Sequence, residues 1–255
     1  MKLVSWNVNS LNVRLPHVLD FLRDNQPDVL CLQELKLETA KFPLAQIQEA
    51  GYQAVFEGQK TYNGVAIISK TAATDVTFGI PNYVDEQKRV IAATINGVRI
   101  ICVYIPNGQD VESDKYQYKL GWLSALQPYM RDQLAAHTHV ALLGDYNIAP
   151  ADADVHDPAA WEGQVLCTVP ERAAFQALEA MGLRDSFRLF PQADKSFSWW
   201  DYRMMGFKRN IGLRIDHILL SPALAEKCAA ASIDKAPRKL DRPSDHAPVI
   251  AEISL

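Results

Sequence analysis

Short apolar runs that recur from Leu3 to Ile253, separated by segments of helical period, predict an α/β fold with antiparallel pairing. The antiparallel part rests on Asn96-Gly97, which joins two apolar runs, Arg89–Ile95 and Val98–Tyr104. Asn-Gly in that setting signals a hairpin, because a type I′ turn needs positive φ at both central positions. No linker-like or low-complexity stretch interrupts the chain, so residues 1–255 are expected to form one domain. Pattern alone leaves a single sheet and two packed sheets equally open.

Residues 3–8 read as the first strand. Leu15, Val18, Leu19 and Leu22 then recur at i, i+3, i+4 and i+7, a helix that tolerates Pro16 in its first turn. Asp28–Leu32 is a second strand running into Gln33-Glu34. A helix around 42–50 stops at Gly51, and strands are expected at 52–57 and 64–69. After the hairpin, residues 114–136 are helical, with Leu123, Leu126, Met130 and Leu134 apolar, and Pro128 is expected to kink or split that helix. A strand at 139–143 delivers the tetrad Gly144-Asp145-Tyr146-Asn147. Residues 149–170 are turn-rich, as suits a loop near a site. A helix over 171–181 ends at Gly182, and strands near 196–200, 213–221 and 247–254 close the chain. LVSWNVN near the start and LLGDYNI near the middle echo one another, each running from apolar residues into a polar-x-Asn motif.

A chain of 255 residues that is 48% hydrophobic can bury a sizeable core. The net charge of −4 excludes a polycation that coats nucleic acid indiscriminately, but not an enzyme with a local basic rim. Cys31, Cys102, Cys167 and Cys228 lie far apart, without zinc-ligand spacing, and Cys31 and Cys102 fall inside apolar runs. That usage fits a reducing compartment. The N-terminus starts with a strand-like segment rather than a secretory signal, and no apolar stretch approaches the ~18 residues of a membrane span. The expectation is a soluble cytoplasmic monomer with no membrane contact and no obligate protein partner.

The chemistry concentrates at strand ends, where open sheets gather their sites. Gly144-Asp145-Tyr146-Asn147 follows one apolar run, and Pro243-Ser244-Asp245-His246 precedes another. On strand alternation, Asn7 projects with Asn9 and Asp145 with Asn147. A carboxylate beside a carboxamide suits phosphodiester hydrolysis: Asp145 activates or orients a water, and Asn147 hydrogen-bonds the phosphoryl oxygen as charge builds. The plainer alternative is an Asx turn closing a strand. Glu34 is either an ordinary solvated carboxylate or a ligand for a hard cation such as Mg²⁺. His246, next to Asp245, is a candidate proton acceptor or phosphate-facing cation, with Asp216 as the acid that orients it. Tyr202–Arg214 carries four basic residues and no acidic one, interleaved with apolar groups, after Trp199-Trp200. Solvated loop charges are one reading; cations for phosphates and wedges for base steps are the other.

Together WNVNSL, LQELK, YNGVAI, VYIPNG, GDYNIAP, GLRIDHILLS and PSDHAP resemble, in order and spacing from Leu3 onward, the exonuclease III type of apurinic/apyrimidinic endonucleases within the endonuclease/exonuclease/phosphatase superfamily. The resemblance implies a four-layer α/β sandwich: two mixed sheets face to face, helices on the outer faces, and the site at one edge. It implies Glu34 as the main Mg²⁺ ligand, with Mn²⁺ able to substitute, and Asn7, Asn9 and Asp245 serving the ion or its waters. Asp145 would act on the water or the leaving oxygen, Asn147 on the scissile phosphate, and Asp216 on His246. Tyr104 and Asn107 would contact the phosphate, with Lys36 and Arg203 also on the substrate. Trp199, Leu213 and Ile215 match the pocket for a flipped abasic sugar.

Tyr146 replaces the Phe, Trp or Leu usual in relatives and is expected to point away from its neighbours; Leu35 stands where Thr is common. Leu166 stands where relatives carry Gly or Ser beside the DNA, and its bulk would favour 3′ ends over abasic incision. The expected partner is duplex DNA with abasic sites or blocked 3′ ends, and the expected activity a DNA-repair phosphodiesterase. The alternatives are a superfamily hydrolase acting on a non-DNA phosphate, which would lack the basic-aromatic segment 199–214, and a non-catalytic DNA-binding module, which would have lost part of the polar set.

Overall fold

The computed structural model describes residues 1–255 and contains two six-stranded sheets. The first runs, in spatial order, Cys228–Ile233, Val249–Ile253, Lys2–Asn7, Val29–Gln33, Val65–Ser69 and Gln53–Glu57. The second runs Thr74–Phe78, Val90–Ile95, Val98–Tyr104, Val140–Asp145, Asp216–Leu220 and Arg184–Asp185. Each sheet has one parallel pair at its centre, Lys2–Asn7 with Val29–Gln33 and Val98–Tyr104 with Val140–Asp145, and antiparallel neighbours around it. The arrangement is the mixed two-sheet sandwich that the resemblance implied, and it decides between one sheet and two.

Three apolar layers hold the sandwich together. Between the sheets, Leu3, Val29, Cys31 and Ile67 meet Ile100, Cys102, Leu143 and Ile218, all buried. On the outer side of the first sheet, Trp6, Leu30 and Ile68 pack on Val18, Phe21 and Leu22 of the Leu11–Asn25 helix. On the outer side of the second, Ile101, Val103 and Leu142 pack on Trp122 and Leu126 of the Asp114–Ala136 helix and on Phe175 of the Val169–Ala180 helix. The central strands are therefore buried on both faces and read as continuous apolar runs. Full burial of each such side chain contributes about 1.5–3 kcal/mol.

The hairpin forms as expected, with Val90–Ile95 antiparallel to Val98–Tyr104 and positive φ at both Asn96 and Gly97. The Asp114–Ala136 helix is one element, so Pro128 does not split it. Pro128 and Ser124 are both exposed, so the missing helical bond falls on the solvent side of the helix. Besides the two-residue edge strand Arg184–Asp185, two strands escaped the sequence reading, Thr74–Phe78 and Cys228–Ile233. Both are edge strands with largely unburied side chains and carry no apolar alternation to read. The strand expected over 213–221 is confined to Asp216–Leu220, because Arg214 N–H donates to the Asp154 carbonyl and Ile215 N–H to Ser198 Oγ. The turn-rich stretch 149–170 holds short helical turns before Thr168, whose side chain and Glu171 form a reciprocal cap on the Val169–Ala180 helix. No helix is long and apolar enough to cross a membrane.

Candidate active site

The carboxyl ends of both parallel pairs point to the same edge of the sandwich, and the antiparallel strands that start there add their first residues. Asn7 ends one strand, Glu34 follows Gln33, Tyr104 ends a third and Asp145 a fourth. Asp216 lies in register with Asp145, and His246 precedes Val249–Ile253. The two echoing motifs meet here across the sandwich: Asn7 Nδ2 donates to Asp145 Oδ2 at 2.8 Å and to Glu34 Oε1 at 2.8 Å. Gly144 lies in register with Val103, where a Cβ would collide with the Val103 carbonyl, so close strand packing fixes that position as glycine.

Behind Asp145 stands a carboxylate–imidazole chain. His246 Nδ1 sits 2.9 Å from Asp216 Oδ2, and its Nε2 points at Asp145 Oδ2 at 3.7 Å. Asp216 is fixed by Ser198, whose hydroxyl donates to Oδ2 at 2.6 Å and accepts from the Asp216 N–H. Burial opposes a charge on His246, but Asp216 and Asp145 outweigh it and lift the imidazole to about 10. Burial raises Asp145 to about 7, against the pull of His246. Tyr104 is pushed well above the usual phenol range by burial and by the charges of Glu34 and Asp145, so it stays a proton donor. Arg89 stacks its guanidinium 4.7 Å over the Tyr104 ring and donates to the Tyr104 carbonyl.

Asn9 and Asn147 lie just past their strand ends in left-handed backbone, with φ of 43° and 51°, so strand alternation does not extend to them. Their N–H groups donate to Asn7 Oδ1 and Asp145 Oδ1. Each pair is thus an Asx turn, and the turn reading and the site reading hold together. The side chains of Asn7 and Asn9 part company as a result. Asn7 joins Glu34 and Asp145, while Asn9 donates to Asp245 at 2.9 Å and accepts from Lys36. Lys36 also pairs with Glu34 at 2.9 Å. Asn147 donates to the Ile105 carbonyl at 3.0 Å and accepts from Asn107 Nδ2 at 2.9 Å, which leaves one amide N–H for a ligand.

The ligand atoms that converge are those of Glu34, Asp145 and His246, all within 4.8 Å of one another. Two carboxylates, with no cysteine beside them, match a hard divalent cation. Asp245, which lines the same cleft, accepts from Asn9 Nδ2 at 2.9 Å and from Trp199 Nε1 at 3.0 Å.

Glu34, Tyr104, Asp145, Asn147, Asp245 and His246 line a cleft of about 1020 Å³. Its apolar wall includes Trp199, Leu213, Ile215 and Leu166. Leu166 is buried against Leu213 and Ile215 with Trp199 packed on the cluster, and it adopts φ 79°, a conformation natural to glycine and strained for leucine. Tyr146 points into the core, as expected, and donates to the Leu142 carbonyl.

The four cations of Tyr202–Arg214 do not act together. Arg214 is buried between Asp154 and Asp185, and exposed Arg203 pairs with Asp201. Lys208 and Arg209 remain, with Met204 and Met205 exposed beside them. Sequence reasoning also missed Ser198, Arg89 and Lys119, since nothing in their local patterns separates them from ordinary strand and helix residues.

Residues 4–246 match the model of the Endonuclease/Exonuclease/phosphatase family. The chain is 38% identical over 266 residues to the exodeoxyribonuclease III of Haemophilus influenzae, covering 99% of each. Its backbone superimposes with a TM-score of 0.98 and 51% identity, over 100% of both chains, on the 3′ phosphatase NExo from Neisseria bound to a product DNA hairpin. The AP endonuclease from Archaeoglobus fulgidus gives 0.96 and 37% identity, again over 100% of both chains.

Proposed function

The chain belongs to the endonuclease/exonuclease/phosphatase family, and on that premise we propose that it is a Mg²⁺-dependent DNA-repair nuclease working mainly at 3′ ends of duplex DNA. The Haemophilus influenzae relative is an exodeoxyribonuclease and the Neisseria protein a 3′ phosphatase, both phosphate-ester hydrolases, which favours an enzyme over the non-catalytic module. The ion would sit at Glu34 and Asp145, with Asn7 beside it, and when bound it supplies positive charge for the phosphoryl oxygens. Mn²⁺ would bind the same oxygen donors.

Asp145, buried at the cleft floor beside His246, accepts the proton of the attacking water. His246, held cationic by Asp216, presents Nε2–H to a phosphoryl oxygen. The free N–H of Asn147 and the hydroxyl of Tyr104 donate to the others, and Asn107 holds Asn147 in place. The bond between phosphorus and the 3′ oxygen breaks, and the leaving oxygen takes a proton from solvent, leaving a 3′-hydroxyl.

The preference for 3′ ends rests on one observation: Leu166 fills the space between Leu213, Ile215 and Trp199 that a flipped abasic sugar would need. Assays of three duplexes with Mg²⁺, one blunt, one abasic and one 3′-phosphorylated, test the proposal. The 3′-phosphorylated duplex is expected to react fastest, and Leu166→Gly to raise abasic incision relative to 3′ processing by about tenfold or more. That substitution relieves roughly 1–2 kcal/mol of backbone strain while losing a comparable apolar contact, so the fold is expected to tolerate it. An unchanged ratio would remove Leu166 from the account of specificity.

A further inference from the structure

Lys119 lies on the Asp114–Ala136 helix, and its side chain is fully buried. An ammonium has three N–H donors, and all three are used. One goes to the Asn107 carbonyl at 3.0 Å, one to the Asn147 carbonyl at 2.6 Å, and one to Glu171 Oε1. Glu171, equally buried, accepts through the same oxygen from the Leu166 N–H at 3.0 Å. Its other oxygen accepts from Thr168 N–H and Oγ1. Gly108 lets the backbone lie directly on this arrangement, since a Cβ there would press on the Lys119 stem.

The partners of this pair carry its meaning. Asn107, Asn147 and Leu166 belong to three separate segments that line the cleft; the Asn107–Asn147 bond and the Ala149 N–H to the Leu166 carbonyl join them in pairs, and the Lys119–Glu171 pair bonds to all three. Burying an ion pair stabilises a fold no better than packed apolar residues of the same volume, so stability alone does not account for it. What a dry lysine with three fixed acceptors supplies is register between loops.

We propose that the buried Lys119–Glu171 pair is a positioning device that holds the phosphate-facing amide of Asn147, the Asn107 side chain that steadies it and the Leu166 plug in one fixed relation. It sets turnover and the bias against abasic sites together. Neither residue touches substrate; Lys119 acts through the backbone of Asn107 and Asn147, and Glu171 through that of Leu166. The inference rests on the proposed roles of Asn147 and Leu166.

The test uses the full chain with Mg²⁺ on 3′-phosphorylated and abasic duplexes. Lys119→Met alone leaves Glu171 buried without its cation and is destabilising. The informative variant is therefore the charge-free Lys119→Met/Glu171→Gln, compared with wild type by thermal melting before any assay. In the folded double variant, kcat for phosphate release is expected to fall about tenfold or more with KM within about threefold, as for misplaced groups at a reacting centre. Abasic incision relative to 3′ processing is expected to rise by about fivefold or more, because the plug is released. In a Leu166→Gly background, where the plug is already gone, the double substitution is expected to leave that ratio unchanged, a coupling that a merely structural ion pair does not produce. A folded double variant with wild-type kcat and wild-type ratio overturns the inference. A wild type that releases no phosphate from the 3′-phosphorylated duplex overturns the functional reading beneath it.

Discussion

The floor of the cleft and its Tyr202–Arg209 flank share one site but are built on opposite terms. On the floor, Asn7, Asp145, Asn147, Asp216 and His246 are all at most 4% exposed and each is hydrogen-bonded. On the flank, Tyr202, Met204 and Met205 are 51%, 74% and 65% exposed, and Met204 and Met205 sit in left-handed backbone. The floor excludes water, so each dipole and charge acts at close to full strength. The flank offers adaptable apolar and cationic groups to a ligand larger than the cleft. Chemistry here is a matter of rigid polar packing, and grip is a matter of surface. Substitutions should therefore be costly on the floor and mild on the flank.

The strongest challenge to that contrast is Asp145→Asn, which keeps the shape and removes the proposed proton acceptor. The turnover rate is expected to fall by about 10³-fold, equivalent to about 4 kcal/mol of barrier, while duplex binding in a gel-shift assay persists. A loss of only a few-fold would mean that Asp145 is not the proton acceptor.

Acid comes next, and it acts behind the floor. His217 is buried, with Arg214 donating to its Nδ1 at 3.0 Å, so its proton lies on Nε2, which donates to the Ile148 carbonyl. Burial, reinforced by Arg214, lowers this imidazole to about 4. The unfolded chain takes up the proton near 6.5 and the folded chain only near 4. The contribution of His217 to stability is complete above about pH 6.5 and is lost as pH falls toward 4, roughly 3 kcal/mol in all. Urea denaturation at intervals between pH 7 and 4 measures this. His217→Gln keeps an acceptor and a donor without titrating, and is expected to flatten that part of the curve; identical curves for both proteins would refute the assignment.

The sequence made the floor legible and the supports almost invisible, for a physical reason. Asp145, Asn147, Glu34 and His246 are polar residues at the ends of apolar runs, and a strand end facing a common sheet edge is a local pattern. Lys119, Ser198 and Asp154 owe their roles to bonds with Glu171, Asp216 and Arg214, 18 to 60 residues away, and no local period records such a pairing. Arg214 shows the converse error. Its place in a basic, apolar-interleaved stretch suggested a phosphate contact, yet Asp154 and Asp185 draw it into the interior. The edge strands Thr74–Phe78 and Cys228–Ile233 were missed because exposure removes the alternation by which strands are read.

Asn147→Ala sharpens the contrast within the floor. Losing the donor proposed to face the phosphoryl group is expected to lower kcat by about 10²-fold. Asn107→Ala, which removes only the donor that steadies Asn147, is expected to do less. Steady-state kinetics on the 3′-phosphorylated duplex rank the two, and equal losses would place Asn107 itself on the phosphate.

The smallest effect belongs to Arg203, the flank residue expected from sequence to meet the substrate. Its guanidinium is 85% exposed and lies against Asp201, with Nη2 2.5 Å and Nε 3.0 Å from Oδ2. A cation already paired on the surface has little net charge to give a phosphate, and releasing it from Asp201 would offset part of what a new contact contributes. Arg203→Ala is therefore expected to change duplex affinity by less than about threefold and to lower the slope of log affinity against log salt by less than about one. Asp201→Ala frees the same guanidinium and is expected to move both quantities the other way. Binding isotherms at several salt concentrations separate the outcomes. A drop of a full unit in slope for Arg203→Ala would show that DNA breaks the Asp201 pair, and the flank would then be gripping through charge rather than through Met204 and Met205.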